Sequence, residues 1–181
     1  MKGFLFAVLS FNILGGISST AEYLKIQHRE SNTCADPNLT QTYTQAYSPS
    51  QTAHAIDVIY DFVNANAHGT DWQIQRDTFL AWRTPQEFTV PLYVLNNPTT
   101  HDFIYLMSTD GMVPTASAFN VGSIIAYVYP TQICGSVPLF ALFQDVVSDH
   151  WYTTGQTERA GFVESGWIDS GIAAYVLPLS S

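Results

Sequence analysis

The densest run of chemistry-bearing side chains is Ser148-Asp149-His150-Trp151-Tyr152-Thr153-Thr154, followed shortly by Glu158. In a strand it puts Asp149, Trp151 and Thr153 on one side and His150, Tyr152 and Thr154 on the other, because successive side chains alternate. A ring beside a carboxylate is what sugar recognition requires. The ring stacks on the apolar C–H face of a pyranose while the acid accepts hydrogen bonds from its hydroxyls. Asp149, His150, Trp151, Tyr152 and Glu158 are therefore the candidate ligand-binding residues. The competing reading makes Trp151 and Tyr152 core aromatics, as Trp82 and Trp167 in strand-like segments are expected to be.

The other reactive residues form no recognised motif. The chain has no Gly-x-Ser-x-Gly elbow, no His-Glu-x-x-His helix, no phosphate loop and no dinucleotide fingerprint, so no catalytic residue is expected. Asp169-Ser170-Gly171 matches an aspartic-protease triplet but occurs once in a chain too short for that two-lobed fold. Gly171 reads instead as a turn before the last strand. None of His28, His54, His68, His101 and His150 pairs with another His or Cys at metal-ligand spacing, so neither a metal nor a cofactor is expected. Only His101-Asp102 and Asp149-His150 occupy related places. Such an acid with a neighbouring His can chelate a metal or hold sugar hydroxyls, but Asp102 and Asp149 are read here as turn residues that bond local amides.

The elements that must position these residues repeat along the chain. Val90-Pro91-Leu92-Tyr93 answers to Val137-Pro138-Leu139-Phe140, and Leu95, Asp102 and Tyr105 answer to Leu142, Asp149 and Tyr152 at one constant offset. Ile124 to Pro130 answers to Ile172 to Pro178 at an offset one residue longer. A fainter first copy aligns Ala81, Trp82 and Pro85 with Ala126, Tyr127 and Pro130. Repeats about 40–86, 90–130 and 137–178 follow, each rich in β-branched and aromatic residues with turn signals at Asn96-Asn97-Pro98 and Asp110-Gly111. His54 to Ala67 carries helical spacing, with Ala55, Val58, Ile59 and Phe62 on one face. The expected fold is all-β: a β-trefoil-like domain of three pseudo-repeats over residues 22–181, with one short helix in the first repeat.

The start of the chain reads as a removable signal peptide, residues 1–21. Lys2 precedes an apolar run from Phe4 to Leu14, and small residues through Ala21 suit a signal peptidase. The run is too short to span a bilayer, so a secreted, extracellular protein with no membrane attachment after cleavage is expected. In that compartment Cys34 and Cys134 most simply pair with each other, a bridge whose chain-entropy contribution is about 4.7 kcal/mol for a loop of about 100 residues. The alternative is two free thiols. Asn38-Leu39-Thr40 is a glycosylation sequon, with Asn38 the acceptor. A net charge of −9 argues against nucleic acid and anionic membranes as partners. A monomer is expected.

Pro138-Leu139-Phe140, Asp149 to Thr154, Glu158, Gly161, Gly171 to Val176 and Pro178 resemble a repeat family of uncharacterised function. It is found in small secreted fungal proteins and appended to secreted bacterial hydrolases. The third copy matches nearly throughout; the second keeps its ends but has Phe103, Ile104, Leu106 and Met107 in place of the aromatic-threonine block. The resemblance implies a β-rich, trefoil-like fold, a non-catalytic role and binding of cell-wall or other glycans, with a full site in copy three alone. The Gln-x-Trp signature of ricin-like lectins is absent.

Two functions follow as expectations. The first is a secreted carbohydrate-binding protein. The alternative is a secreted protein-interaction factor, such as a trefoil-type protease inhibitor or an effector. It would present the longer first copy or the loop from Val113 to Asn120 to an extracellular protein partner.

Overall fold

A computed structural model describes residues 34–179, so the expected signal peptide lies outside the described residues. The described residues are mostly β, with nine strands and two short α-helices among them. The strands are β1 (Thr40–Ser48), β2 (Ala53–Asp57), β3 (Gln73–Trp82), β4 (Val90–Asn96), β5 (Phe103–Met107), β6 (Asn120–Val128), β7 (Val137–Gln144), β8 (Asp149–Thr153) and β9 (Ile168–Val176). Helix α1 (Ile59–Ala67) lies between β2 and β3, and α2 (Gln156–Glu164) between β8 and β9.

All strand pairs are antiparallel, in a six-stranded sheet of order β2-β1-β3-β6-β4-β5, curled into a half-barrel, and a three-stranded sheet of order β8-β7-β9. Three stretches of chain lay down the same local pattern. In each, the first strand (β1, β4 or β7) is central, the second folds back on it as a hairpin, and the third returns along its other edge. Each hairpin closes through a residue with left-handed backbone just before its second strand: Thr52 (φ 53°), His101 (φ 64°) and Ser148 (φ 55°). Such a conformation gives the turn the twist that antiparallel strands need.

The three returning strands meet end to end. Trp82 of β3 pairs with Tyr127 of β6, Tyr129 just past β6 with Tyr175 of β9, and Leu177 just past β9 with Leu80 of β3. Each return strand thus gives one residue to each of the other two, a closed ring of three contacts. Tyr129 and Tyr175 exchange both backbone hydrogen bonds at 2.9 and 3.1 Å, as do Leu80 and Leu177 at 2.9 and 3.0 Å. Tyr43, Leu92 and Leu139, one from each central strand, are buried beneath this ring with Phe79, Ala126 and Ala174.

A disulfide joins Cys34 to Cys134, with Cα atoms 5.7 Å apart. It fastens the start of the described chain over the ring. The Ala35 amide donates to the Tyr129 hydroxyl at 2.9 Å, and the Trp82 indole N–H donates to the Asp36 carbonyl at 2.7 Å. Trp82 and Tyr129 are fully buried there, with rings 5.2 Å apart.

Three local expectations need correction. The helical spacing from His54 is split: residues through Asp57 form β2, and the helix begins at Ile59. A second helix, α2, was not expected; none of its residues is fully buried, so it carries no apolar periodicity. Gly171 is no turn before the last strand. It lies within β9 at a bulge, where its φ of 89° suits glycine.

Candidate functional site

The second strands, β2, β5 and β8, and the residues leading into them carry the Asp–His chemistry, and it links one unit to another. The Asp102 carboxylate accepts from the His150 backbone amide at 3.0 Å and meets His150 Nδ1 at 2.7 Å. The Asp149 carboxylate accepts from the His54 amide at 2.8 Å and meets His54 Nδ1 at 2.6 Å. Both carboxylates are buried. They bond amides, as read from the sequence, but the amides belong to another unit and not to their own turn. At the corresponding third junction, Ala53 stands where an acid would be and Phe103 where a His would be. Ala53 is fully buried and Phe103 packs edge-on to Trp72 at 5.8 Å, so an apolar contact replaces the polar clamp.

Tyrosines pass between the same strands in the opposite sense. The Tyr105 hydroxyl accepts from the Ile56 amide at 2.6 Å and donates to the Ile56 carbonyl at 3.0 Å. The Tyr152 hydroxyl accepts from the Tyr105 amide at 3.2 Å. Burial pushes both phenols well above their ordinary range, so they act as neutral groups.

The five candidate binding residues therefore do not converge on one surface. Asp149 and Tyr152 are buried in these links. The Trp151 ring is covered: the Arg76 guanidinium lies over it at 5.2 Å, Phe162 of α2 packs on it at 4.9 Å, and the His54 ring meets it at 4.8 Å. The residue is half-buried among these neighbours.

Glu158 does face a cleft, of about 570 Å³, between β3 and the β8–α2 connection. Arg76, Asp77, Thr78, Thr153, Thr154, Thr157 and Glu158 supply its polar lining. Arg76 Nη2 donates to Glu158 Oε2 at 2.6 Å, and the Thr153 hydroxyl bonds the same oxygen. The Thr153 hydroxyl also accepts from the Gly155 amide at 2.9 Å. A carboxylate in the first turn of α2 suits the positive end of the helix dipole. Asp77 accepts from the Thr44 hydroxyl at 2.7 Å with one oxygen. Thr78 is buried in the cleft wall and its hydroxyl has no partner. Sequence reasoning missed Arg76 and Thr78 because β3 is remote in the chain and shows no motif; the strand's place beside β8 is a tertiary fact.

A second cleft, of about 490 Å³, opens between β5 and β9. Ile104, Leu106, Met107 and Ile172 give it an apolar wall, and His150, Thr109 and Ser170 its polar points. Another hollow holds the carboxylates Asp57 and Asp61 beside Phe62 and Trp72. Burial, reinforced by Asp61, raises the Asp57 carboxyl to about 7, even though Arg83 reaches both acids, at 3.4 and 2.7 Å. Asn38 is exposed in a 3₁₀ turn (Pro37–Leu39), its amide bonded to Asp36 at 3.0 Å. Among the described residues, no cluster of His, Cys, Asp and Glu is placed to hold a metal ion, and no helix is long and apolar enough to cross a membrane.

Fold and site together define a mostly β, disulfide-linked protein whose sheet units are clamped to one another by buried Asp–His and Tyr–backbone links, with clefts at their junctions. The chain belongs to the family described as Domain of unknown function (DUF5648), whose model matches residues 42–177, from within β1 to just past β9. Comparison with curated proteins and with solved structures gave no match.

Proposed function

We propose that this chain is a secreted, non-catalytic carbohydrate-binding protein that takes a glycan in the cleft between β3 and the β8–α2 connection. Its three sheet units are read as copies of one repeat in a trefoil-like arrangement. The observation that carries the reading is the cleft of about 570 Å³, which gathers acidic, basic and hydroxyl side chains around one hollow. The surrounding groups suit a sugar: Thr154 and Thr157 both donate and accept, Arg76 donates, and Asp77 and Glu158 accept. The disulfide supports an oxidising compartment, and the exposed Asn38 supports glycosylation there.

The test is Thr157→Val at an exposed position of the cleft lining, nearly isosteric but without the hydroxyl. Binding to a glycan array and to cell-wall polysaccharides is expected to fall at least tenfold while the unfolding midpoint holds or rises. Unchanged binding by the variant, or no glycan binding by the parent protein, would overturn the reading.

A second reading, a protein-interaction factor, is favoured by one observation. Ile59, Tyr60 and Val63 of α1 are 55%, 70% and 58% exposed on adjoining positions of the helix. A continuous apolar patch marks a protein contact. Inhibition of any member of a protease panel that is lost in Tyr60→Asp supports this reading; inhibition indifferent to that change counts against it.

A further inference from the structure

The two Asp–His pairs are alike at one ring nitrogen and different at the other. A carboxylate only accepts, so Asp149 and Asp102 each hold a proton on the Nδ1 they face, and in the neutral ring Nε2 is left as an acceptor. At His54 that acceptor is used: the Gln75 amide approaches Nε2 at 3.3 Å, and the Tyr47 and Trp151 rings flank the imidazole at 4.7 and 4.8 Å. Among the described residues no protein group hydrogen-bonds His150 Nε2; Nδ1 is the engaged ring nitrogen, and the ring lines the cleft between β5 and β9.

Strand register explains the difference. Tyr47 pairs with Gln73 across β1 and β3, and Gln75 lies two residues further along. Phe143 pairs with Ile168 across β7 and β9, and the residue two further along is Ser170. The long amide that caps His54 is thus replaced at the matching position by a short hydroxyl. Ser170 lines the same cleft as His150 but makes no hydrogen bond to it.

We propose that this cleft is a binding site for a small molecule with an apolar body and one hydroxyl. The ligand's hydroxyl donates to His150 Nε2, where the Gln75 amide stands at the sister pair. The body lies along Ile104, Leu106, Met107 and Ile172. The His150 side chain is 15% exposed, so its acceptor is held in a mostly desolvated wall and fixed in orientation by Asp102. The volume of about 490 Å³ lies within the range usual for small-molecule sites, and an apolar lining with few polar points is their usual character. A site that must pair a buried acceptor rejects an analogue lacking the donor far more strongly than an apolar surface does. This proposal does not depend on the glycan cleft, which lies at a different junction and shares none of these residues.

The probes are 4-butylphenol and its methyl ether, titrated by calorimetry. The phenol is expected to bind at least tenfold more tightly than the ether. Ser170→Gln, an exposed position, restores the amide cap and is expected to weaken the phenol at least tenfold with the fold intact. His150→Phe keeps an aromatic wall and is expected to abolish the preference for the phenol. If that variant does not fold, Ser170→Gln alone decides. Equal affinity of phenol and ether, unchanged phenol binding in Ser170→Gln, or no phenol binding by the parent protein overturns the proposal.

Discussion

The carboxylate of Asp102, just before β5, holds both the backbone amide and the imidazole of His150, near the start of β8, at 3.0 and 2.7 Å. Asp149, the very next residue back from His150, does the same to His54 in β2. One dipeptide therefore receives a clamp from one unit and gives a clamp to another. Removing the acid leaves the His150 amide and Nδ1 proton without their acceptor, so Asp102→Ala is expected to cost about 1–3 kcal/mol for each unmade bond in urea unfolding. A cost under about 1 kcal/mol would show that the pair contributes little.

The third junction can be rebuilt. Ala53→Asp alone buries an unpaired acid, and Phe103→His alone leaves an imidazole beside an alanine, so each single change is expected to destabilise. Together they restore the pattern of the other two junctions. The double variant is expected to be more stable than the sum of the two singles by more than about 0.5 kcal/mol, the interaction energy that contacting residues show in a double-mutant cycle. Strict additivity would mean that Ala53 and Phe103 do not occupy the missing clamp.

Tyr105→Phe removes one hydroxyl that serves both the amide and the carbonyl of Ile56. Each backbone group is then buried without that partner, at about 1–3 kcal/mol for an unmade bond. Faster hydrogen exchange at the Ile56 amide, measured by NMR, is the expected local signature.

Asp57 sets a pH dependence with a definite sign. Its folded carboxyl is raised to about 7 by burial and by Asp61, above the ordinary carboxylate value in the unfolded chain. The folded state therefore binds more protons between about pH 4 and 7. Asp57 contributes stability that is fully present below pH 4 and is lost as pH rises through 7. Asp57→Asn is expected to flatten this decline, measured as the urea midpoint at intervals from pH 4 to 8. The same slope in both proteins would remove Asp57 as its source.

The Cys34–Cys134 bridge closes nearly the whole described chain before the third unit. Replacing both cysteines with serine is expected to lower stability by about 2–5 kcal/mol. The ring of Trp82, Tyr129 and Leu177 beneath the bridge should loosen first, read as increased Trp82 fluorescence quenching by acrylamide.

What the residues determined alone was local. Alternating β-branched and aromatic runs gave the strands, turn residues gave the hairpin ends, and the two cysteines gave the disulfide that is present. Asp102 and Asp149 stood out because they recur with Tyr105 and Tyr152 at one spacing. Helix α2 was hidden because it presents no buried face, and β2 was mistaken for helix because Ala55, Val58, Ile59 and Phe62 satisfy a helical period across a strand–helix junction. The alignment of the first copy was also two residues off: the ring places Trp82 with Tyr129 and Leu177, not with Tyr127. Only the tertiary structure decided which side chains meet. Strand period fixes the face on which a residue lies but carries no record of the strand that will lie opposite. Asp149 thus meets His54, Trp151 lies beneath Arg76, and Glu158 faces a cleft it shares with Thr78, a residue that no local pattern marked.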